Sequence, residues 1–252
     1  MNRRRRPTAS AAVGSARAAR SNADRIWLLD LDNTLHDAIT HLMPGINRAM
    51  TDFIARELDM HPERASALRV RYWHRYGATL LGLVHHHGVD PHDFLAEAHR
   101  LPDLERVVSR DYALRHALAR LRGRRIILTN APEVYAHRVI DAVGIRRQVD
   151  AVIPIEAMRF AGRFLPKPSR AMLRKLLARL RVDPARCVLV EDSPANLRAA
   201  RACGLRTILV TGIGPAAHRD PLRHRAGRGR YIDHQIGRPH RLPRLSRIMS
   251  NH

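Results

Sequence analysis

Short continuous apolar runs alternate along the chain with stretches whose apolar residues recur at helical spacing. The first run, Ile26-Trp27-Leu28-Leu29, gives way at once to Asp30-Leu31-Asp32-Asn33-Thr34-Leu35. A run without polar alternation suits a parallel strand covered on both faces. Arg125–Thr129, Ala151–Ile155, Cys187–Val190 and Thr207–Val210 read as strands too. Between them the pattern predicts a helix over Tyr112–Leu121, stopped by Gly123, and another over Glu133–Val143, with Pro132 at its start and Gly144 after its end. Ser169 stands where it can cap an amphipathic helix running to Arg181, and Ser193-Pro194 open a further helix that closes at Gly204. This βαβα order predicts an α/β fold, a doubly wound Rossmann-like parallel sheet with helices on both faces.

One segment breaks the alternation. Residues 44–106 show only helical periodicity, with stops expected near Gly77, Gly82 and Gly88. An all-helical stretch after the first strand reads as an inserted α-helical cap domain. The core is then expected over residues 25–43 and 107–211. Residues 212–252 read as a basic loop and C-terminal extension, with Tyr231-Ile232 as a last edge strand before a weak helix. Residues 1–24, rich in Arg, Ala and Ser, lack the apolar region of a secretory signal and are set aside as a disordered basic tail.

Composition changes this picture little. Aromatic residues make up only 4% of the chain, so the core must be mainly aliphatic. No apolar run reaches the length needed to span a membrane. Cys187 and Cys203 have neither metal nor redox spacing; as buried free thiols they suit a reducing, cytoplasmic setting. The net charge of +22 invites a nucleic-acid reading. Its distribution argues against it. Residues 1–25 carry seven Arg and one Asp, and residues 213–252 carry nine Arg and two Asp, so 13 of the 22 charges lie in the tails. Of 45 basic residues only Lys167 and Lys175 are lysine, which looks like a coding bias toward Arg. Nucleic-acid contact through the tails, or a basic nucleic-acid-binding protein on this scaffold, stays the non-enzyme alternative. His85-His86-His87, with His92 and His99 nearby, cannot all share one helix face and lack metal spacing, so a solvated loop end is expected there.

Four groups of reactive side chains fall at expected strand ends or helix starts: Asp30 with Asp32, Thr129-Asn130, Lys167, and Glu191-Asp192 with Asn196. In open α/β sheets ligands collect at the carboxyl ends of strands. Two carboxylates placed there repel each other unless a cation intervenes. Each group suits one part of phosphoryl transfer. A carboxylate can attack phosphorus, and a second, two residues on, can move the proton. A Thr hydroxyl with the following backbone N–H can cradle phosphate oxygens, and a Lys ammonium offsets their charge. Mg²⁺ takes a few carboxylate oxygens, water and substrate phosphate, which Asp30 and Asp192 could supply.

These residues, in this order, resemble the motifs of the haloacid dehalogenase-like (HAD) hydrolase superfamily. Asp30-Leu31-Asp32-Asn33-Thr34 matches its first motif, Thr129 the second, Lys167 the third and Glu191-Asp192 the fourth. The resemblance implies Asp30 as nucleophile, Asp32 as general acid/base, and phosphate held by Thr129, Asn130 and Lys167. It also implies Mg²⁺ on Asp30, the Asp32 backbone carbonyl and Asp192, with Glu191 reaching it through water or supporting it. Asn196 stands where relatives often have another acid, so its part as ligand or support stays open. Because true dehalogenases lack the second acid, Asp32 favours a phosphatase or mutase. The cap stretch Tyr72-Trp73-His74-Arg75-Tyr76-Gly77-Ala78-Thr79-Leu80-Leu81-Gly82-Leu83, together with Thr129-Asn130-Ala131, resembles the pyrimidine 5′-nucleotidase-like branch. That resemblance implies a nucleoside monophosphate such as UMP or CMP. Tyr72, Tyr76 and Thr79 span two turns of an expected helix, with the two rings on one face. They become candidate substrate contacts, with His36, which replaces the branch's usual Tyr. The same two rings could equally pack the cap's own core. A HAD phosphatase or mutase for another small phosphometabolite is the competing reading.

Overall fold

The structure, a computed structural model, describes residues 25–215 and 229–249. The expected N-terminal tail and most of the basic loop after Gly212 lie outside the described residues. The main sheet has six strands: β1 (Ile26–Leu29), β2 (Arg124–Leu128), β3 (Ala151–Ile153), β6 (Cys187–Glu191), β7 (Arg206–Val210) and β8 (His234–Ile236). A two-residue hairpin, β4 (Arg159–Phe160) with β5 (Arg163–Phe164), stands apart. All sheet pairings are parallel, in the order β3-β2-β1-β6-β7-β8. Numbering only the six sheet strands gives the 3-2-1-4-5-6 arrangement of doubly wound folds, with the order reversing between β1 and β6.

Side-chain alternation along these strands builds two cores. Trp27 and Leu29 of β1 join Ile127, Val188, Val190, Ile208 and Val210 on one face. That face is covered by α7 (Tyr112–Ala119), α8 (Glu133–Val143) and α11 (Leu242–Ile248). Ile26 and Leu28 join Ile126, Leu128, Leu189 and Leu209 on the other, under α9 (Arg170–Leu180) and α10 (Pro194–Arg201). Trp27 is fully buried, and its indole N–H donates to the Arg122 carbonyl at 2.9 Å, as a buried indole requires. Ser169 caps α9 by accepting from the Met172 N–H at 3.2 Å.

Six helices lie between β1 and α7: α1 (Ala38–His41), α2 (Met43–Glu57), α3 (Pro62–Tyr76), α4 (Thr79–His87), α5 (Pro91–Ala98) and α6 (Leu104–Val107). Phe53, Leu68, Tyr72, Leu83 and Phe94 of this segment form a third apolar cluster together with Ile155 and Phe164. Gly77 and Gly88 end α3 and α4 in the left-handed conformation, at φ +79° and +64°. Gly82 is no stop. It lies inside α4, and a Cβ there would drive into the Tyr72 ring of α3, so the glycine sets how closely the two helices approach. The break at Gly77 also puts Thr79 on a different helix from Tyr72 and Tyr76. His85-His86-His87 form the last turn of α4 rather than a loop end.

At the other end, the last strand is His234–Ile236 instead of Tyr231-Ile232. Thr207 Oγ1 donates to the Tyr231 carbonyl at 2.8 Å, and Asp233 accepts the Thr207 N–H at 2.9 Å. These bonds tie residues 231–233 to the start of β7 as a turn, so ladder pairing begins only afterwards.

Gly82→Ala is expected to destabilise the protein by about 1–3 kcal/mol through overpacking against Tyr72. A urea titration reads this directly; an unchanged midpoint would show that the two helices do not need the close approach.

Candidate active site

The topological switch point between β1 and β6 opens the crevice where such sheets bind ligands. Asp30 follows β1, and its N–H extends the ladder to the Val190 carbonyl at 3.0 Å, which brings it beside Glu191 and Asp192. Thr129 follows β2 and extends that ladder to the Ile153 carbonyl at 3.1 Å. After Asp30 the chain turns sharply: the Leu31 carbonyl accepts from the Leu35 N–H at 2.9 Å, and Asn33 takes φ +59°. That turn returns Thr34 Oγ1 to Asp30 Oδ2 at 2.9 Å and His36 Nε2 to Asp32 Oδ1 at 2.9 Å.

Lys167 enters from the loop between β5 and α9 and is buried. Its Nζ donates to Asp30 Oδ1 at 2.6 Å and to Glu191 Oε2 at 2.9 Å. Asn196 Nδ2 donates to that same Glu191 oxygen at 2.9 Å, while Oε1 accepts the Asp192 and Ser193 N–H groups, both at 3.1 Å. Glu191 is thus held at both oxygens, and Asn196 supports it. Asp30, Glu191 and Asp192 are all buried, with an oxygen of each within 4.8 Å of the others. Lys167 thus pairs directly with two of these carboxylates, Asp30 and Glu191. Burial first, then the Glu191 charge, pushes Asp30 up to about 7 against the pull of Lys167. Glu191 is raised by burial and by Asp192. Lys167 would be lowered by burial alone, but Asp30 and Glu191 hold it above its ordinary value. Three buried carboxylates with oxygens this close are hard donors that fit a divalent cation such as Mg²⁺, which Asp30 and Asp192 could hold.

Asp32 stands outside that acidic group. Its Oδ1 accepts from the Tyr135 hydroxyl at 2.7 Å as well as from His36. Burial pushes Asp32 up, but the bonds from His36 and Tyr135 outweigh it and leave its carboxyl below the ordinary value. Thr129 Oγ1 accepts the Ala131 N–H at 3.1 Å, which leaves its own proton to donate. Asn130 is spent on the lysine loop: its amide accepts the Lys167 N–H at 2.9 Å and donates to the Lys167 carbonyl at 3.0 Å. The Asn130 side chain is thereby engaged at both amide atoms and has little left to offer a phosphate.

The cap candidates divide. Tyr72 is buried against Gly82, with its hydroxyl 2.8 Å from His87 Nε2, and buried Thr79 donates to the Arg69 carbonyl at 3.1 Å. Both serve cap packing. Tyr76 is half-buried, its hydroxyl 2.5 Å from His86 Nε2. The next residue, Gly77, lies over the lysine loop, where a Cβ would come within 3.2 Å of Pro168 and 3.9 Å of the Lys167 carbonyl. Three further residues escaped the sequence reading. Thr34 carries no role of its own in the first motif, and Tyr135 is not singled out within the helix over Glu133–Val143. A buried tyrosine hydroxyl must find a partner, which was the available signal. His99, expected with the nearby histidines at a solvated loop end, instead lies edge-on to Tyr135 at 5.2 Å.

Fold and site together define an α/β protein that holds acidic groups, a buried lysine and a cation-ready carboxylate set at the switch point of its sheet. Residues 25–204 match the family model of haloacid dehalogenase-like hydrolases, and the chain belongs to that family. It is 29% identical over 209 residues to a phosphoglycolate phosphatase of Rhodospirillum rubrum, covering 73% of this chain and 78% of that protein. It is 22% identical over 205 residues to phosphate metabolism protein 8 of Saccharomyces cerevisiae, covering 74% of this chain but only 61% of the yeast protein. In three dimensions it resembles a haloacid dehalogenase-like protein of Agrobacterium tumefaciens, with TM-score 0.55, 20% identity, and 90% and 99% of the two chains covered. A putative beta-phosphoglucomutase of Thermotoga maritima aligns with TM-score 0.55 at 15% identity, over 89% and 99% of the two chains.

Mg²⁺ at a hundredfold excess over its Kd is expected to stabilise the protein by about 2.7 kcal/mol. Asp192→Asn should remove most of that gain. A thermal midpoint indifferent to Mg²⁺ in the wild-type protein would contradict the cation site.

Proposed function

We propose that this protein is a Mg²⁺-dependent phosphomonoester hydrolase working through a phosphorylated Asp30, with a pyrimidine nucleoside 5′-monophosphate as substrate. The observation that carries the chemistry is the Asp30–Lys167–Glu191 cluster at the switch point, with Asp32 two residues away in a separate hydrogen-bonded setting. Lys167 fixes one oxygen of Asp30 and Thr34 the other, so the nucleophile meets phosphorus in one orientation. Asp30 forms the new O–P bond as the ester oxygen leaves, and the protonated Asp32 gives that oxygen its proton. Water then attacks phosphorus, Asp32 takes the water's proton, and the P–O bond to Asp30 breaks to release inorganic phosphate and the Asp30 carboxylate. Tyr135 and His36 hold Asp32 low in the free site; a phosphate dianion beside it acts in the opposite sense. Thr129 Oγ1, the Asn130 N–H and Lys167 bind the phosphate oxygens. Asp30 and Asp192 would hold a Mg²⁺ ion, which would offset the charge that gathers on the phosphoryl oxygens.

The nucleotide assignment rests on the Tyr-x-x-x-Tyr-Gly-x-Thr-Leu-x-Gly-Leu pattern of the cap and on Tyr76 standing next to the Gly77 contact with the lysine loop. A half-buried aromatic ring there suits stacking on a base. The phosphoglycolate phosphatase relatives, at 29% and 27% identity, favour a small phosphorylated metabolite as the second reading. Free Cys187 and Cys203 suit a cytoplasmic setting.

Purified protein with Mg²⁺ should release phosphate from UMP or CMP faster than from AMP, GMP, sugar phosphates or phosphoglycolate. A preference for phosphoglycolate would replace the nucleotide reading and leave the phosphatase. Asp30→Asn should lower turnover at least about a thousandfold with the circular dichroism spectrum unchanged; undiminished turnover would sink the mechanism.

A further inference from the structure

We propose that Tyr135 is a positioning residue for the acid/base carboxyl: with His36 it pins Asp32 Oδ1 and so assigns proton transfer to Oδ2. The proposal rests on the phosphatase reading above but not on the identity of the ester. Both donors converge on one oxygen, the Tyr135 hydroxyl at 2.7 Å and His36 Nε2 at 2.9 Å, and among the described residues no hydrogen bond falls on Oδ2. A carboxyl oxygen has two lone pairs, and two donors fill them. Oδ1 then accepts in both protonation states, as a carboxylate oxygen and as the carbonyl oxygen of the acid, so the proton resides on Oδ2. Oδ2 gives it to the leaving oxygen and takes it back from water.

The two donors are themselves fixed. His36 is set by the turn after β1, which pairs it with Asp32 as an isolated bridge. Tyr135 is 1% exposed on the core face of α8, so its ring cannot swing away. The His99 ring from the end of α5 packs edge-on against it. His99 Nδ1 lies 3.0 Å from the Leu95 carbonyl, which can only accept, so that nitrogen carries the proton and the ring orientation is set. The hydroxyl of Tyr135 is thereby aimed by packing from the core and from the helical insert together. A tyrosine used only as filler would be replaceable by phenylalanine without a chemical signature.

The test compares two esters that differ chiefly in the basicity of the oxygen they release, p-nitrophenyl phosphate and phenyl phosphate. An acid catalyst matters most for the more basic leaving oxygen. Tyr135→Phe is expected to lower kcat/KM for phenyl phosphate about tenfold more than for p-nitrophenyl phosphate, with KM changed little for either. His36→Gln, which keeps a donor near the same place, should show a smaller differential. In an Asp32→Asn background, adding Tyr135→Phe should produce no further differential. Equal losses on the two esters, or no loss on either, would overturn the positioning role and leave the phosphatase reading standing. Failure of the wild-type protein to hydrolyse either ester would overturn both.

Discussion

The structure turns on one unequal contact: a single buried ammonium, Lys167, set between carboxylates that outnumber it. Removing charges from water is costly, and only close pairing with full hydrogen bonding offsets that cost. Lys167 meets Asp30 and Glu191 at 2.6 and 2.9 Å, and Asn196 with two backbone N–H groups completes Glu191. Asp192 remains as an added buried acid beside them. Burial, then the Glu191 charge, pushes Asp30 up to about 7, and the close set of buried carboxylates suits a cation. The sheet exists in a form that permits this. Parallel pairing of β1 with β2 and β6 delivers their carboxyl ends to one edge, and the reversal of strand order opens the space between them.

The two aspartates of the first strand end live in different surroundings although two residues apart. Asp30 shares a cation with other acids, whereas Asp32 accepts from a phenol and an imidazole. Burial and Glu191 push Asp30 up, whereas His36 and Tyr135 hold Asp32 low, so the surroundings set the two carboxyls apart. The helical insert adds a contact to each. Gly77 lies against the loop that carries Lys167, and His99 packs on the tyrosine that holds Asp32.

Much of this was legible from residue order. The apolar runs located the core strands, and Ser169 and Gly144 marked helix ends that the structure keeps. The strand-end acids and Lys167 were readable because few residue types suit those places. Gly82 was misread as a stop because a glycine that ends a helix and one that lets a neighbouring ring approach look alike without a partner in view. The last strand was misplaced because Tyr231 and Ile232 are apolar and β-prone, yet Thr207 and Asp233 fasten that stretch as a turn. His36 drew notice beside the first motif, but its pairing with Asp32 depends on a turn whose geometry no periodicity reveals. Tyr135 is 103 residues from Asp32, and such a contact is set by the fold alone.

The most direct measurement is acid-quenched turnover of a phosphate ester followed by mass spectrometry of the digested protein. A phosphoryl group should appear, during turnover only and labile to hydroxylamine, on the peptide that contains Asp30. A phosphoryl group on a different residue, or steady turnover with none at Asp30, would contradict the nucleophile assigned to this site.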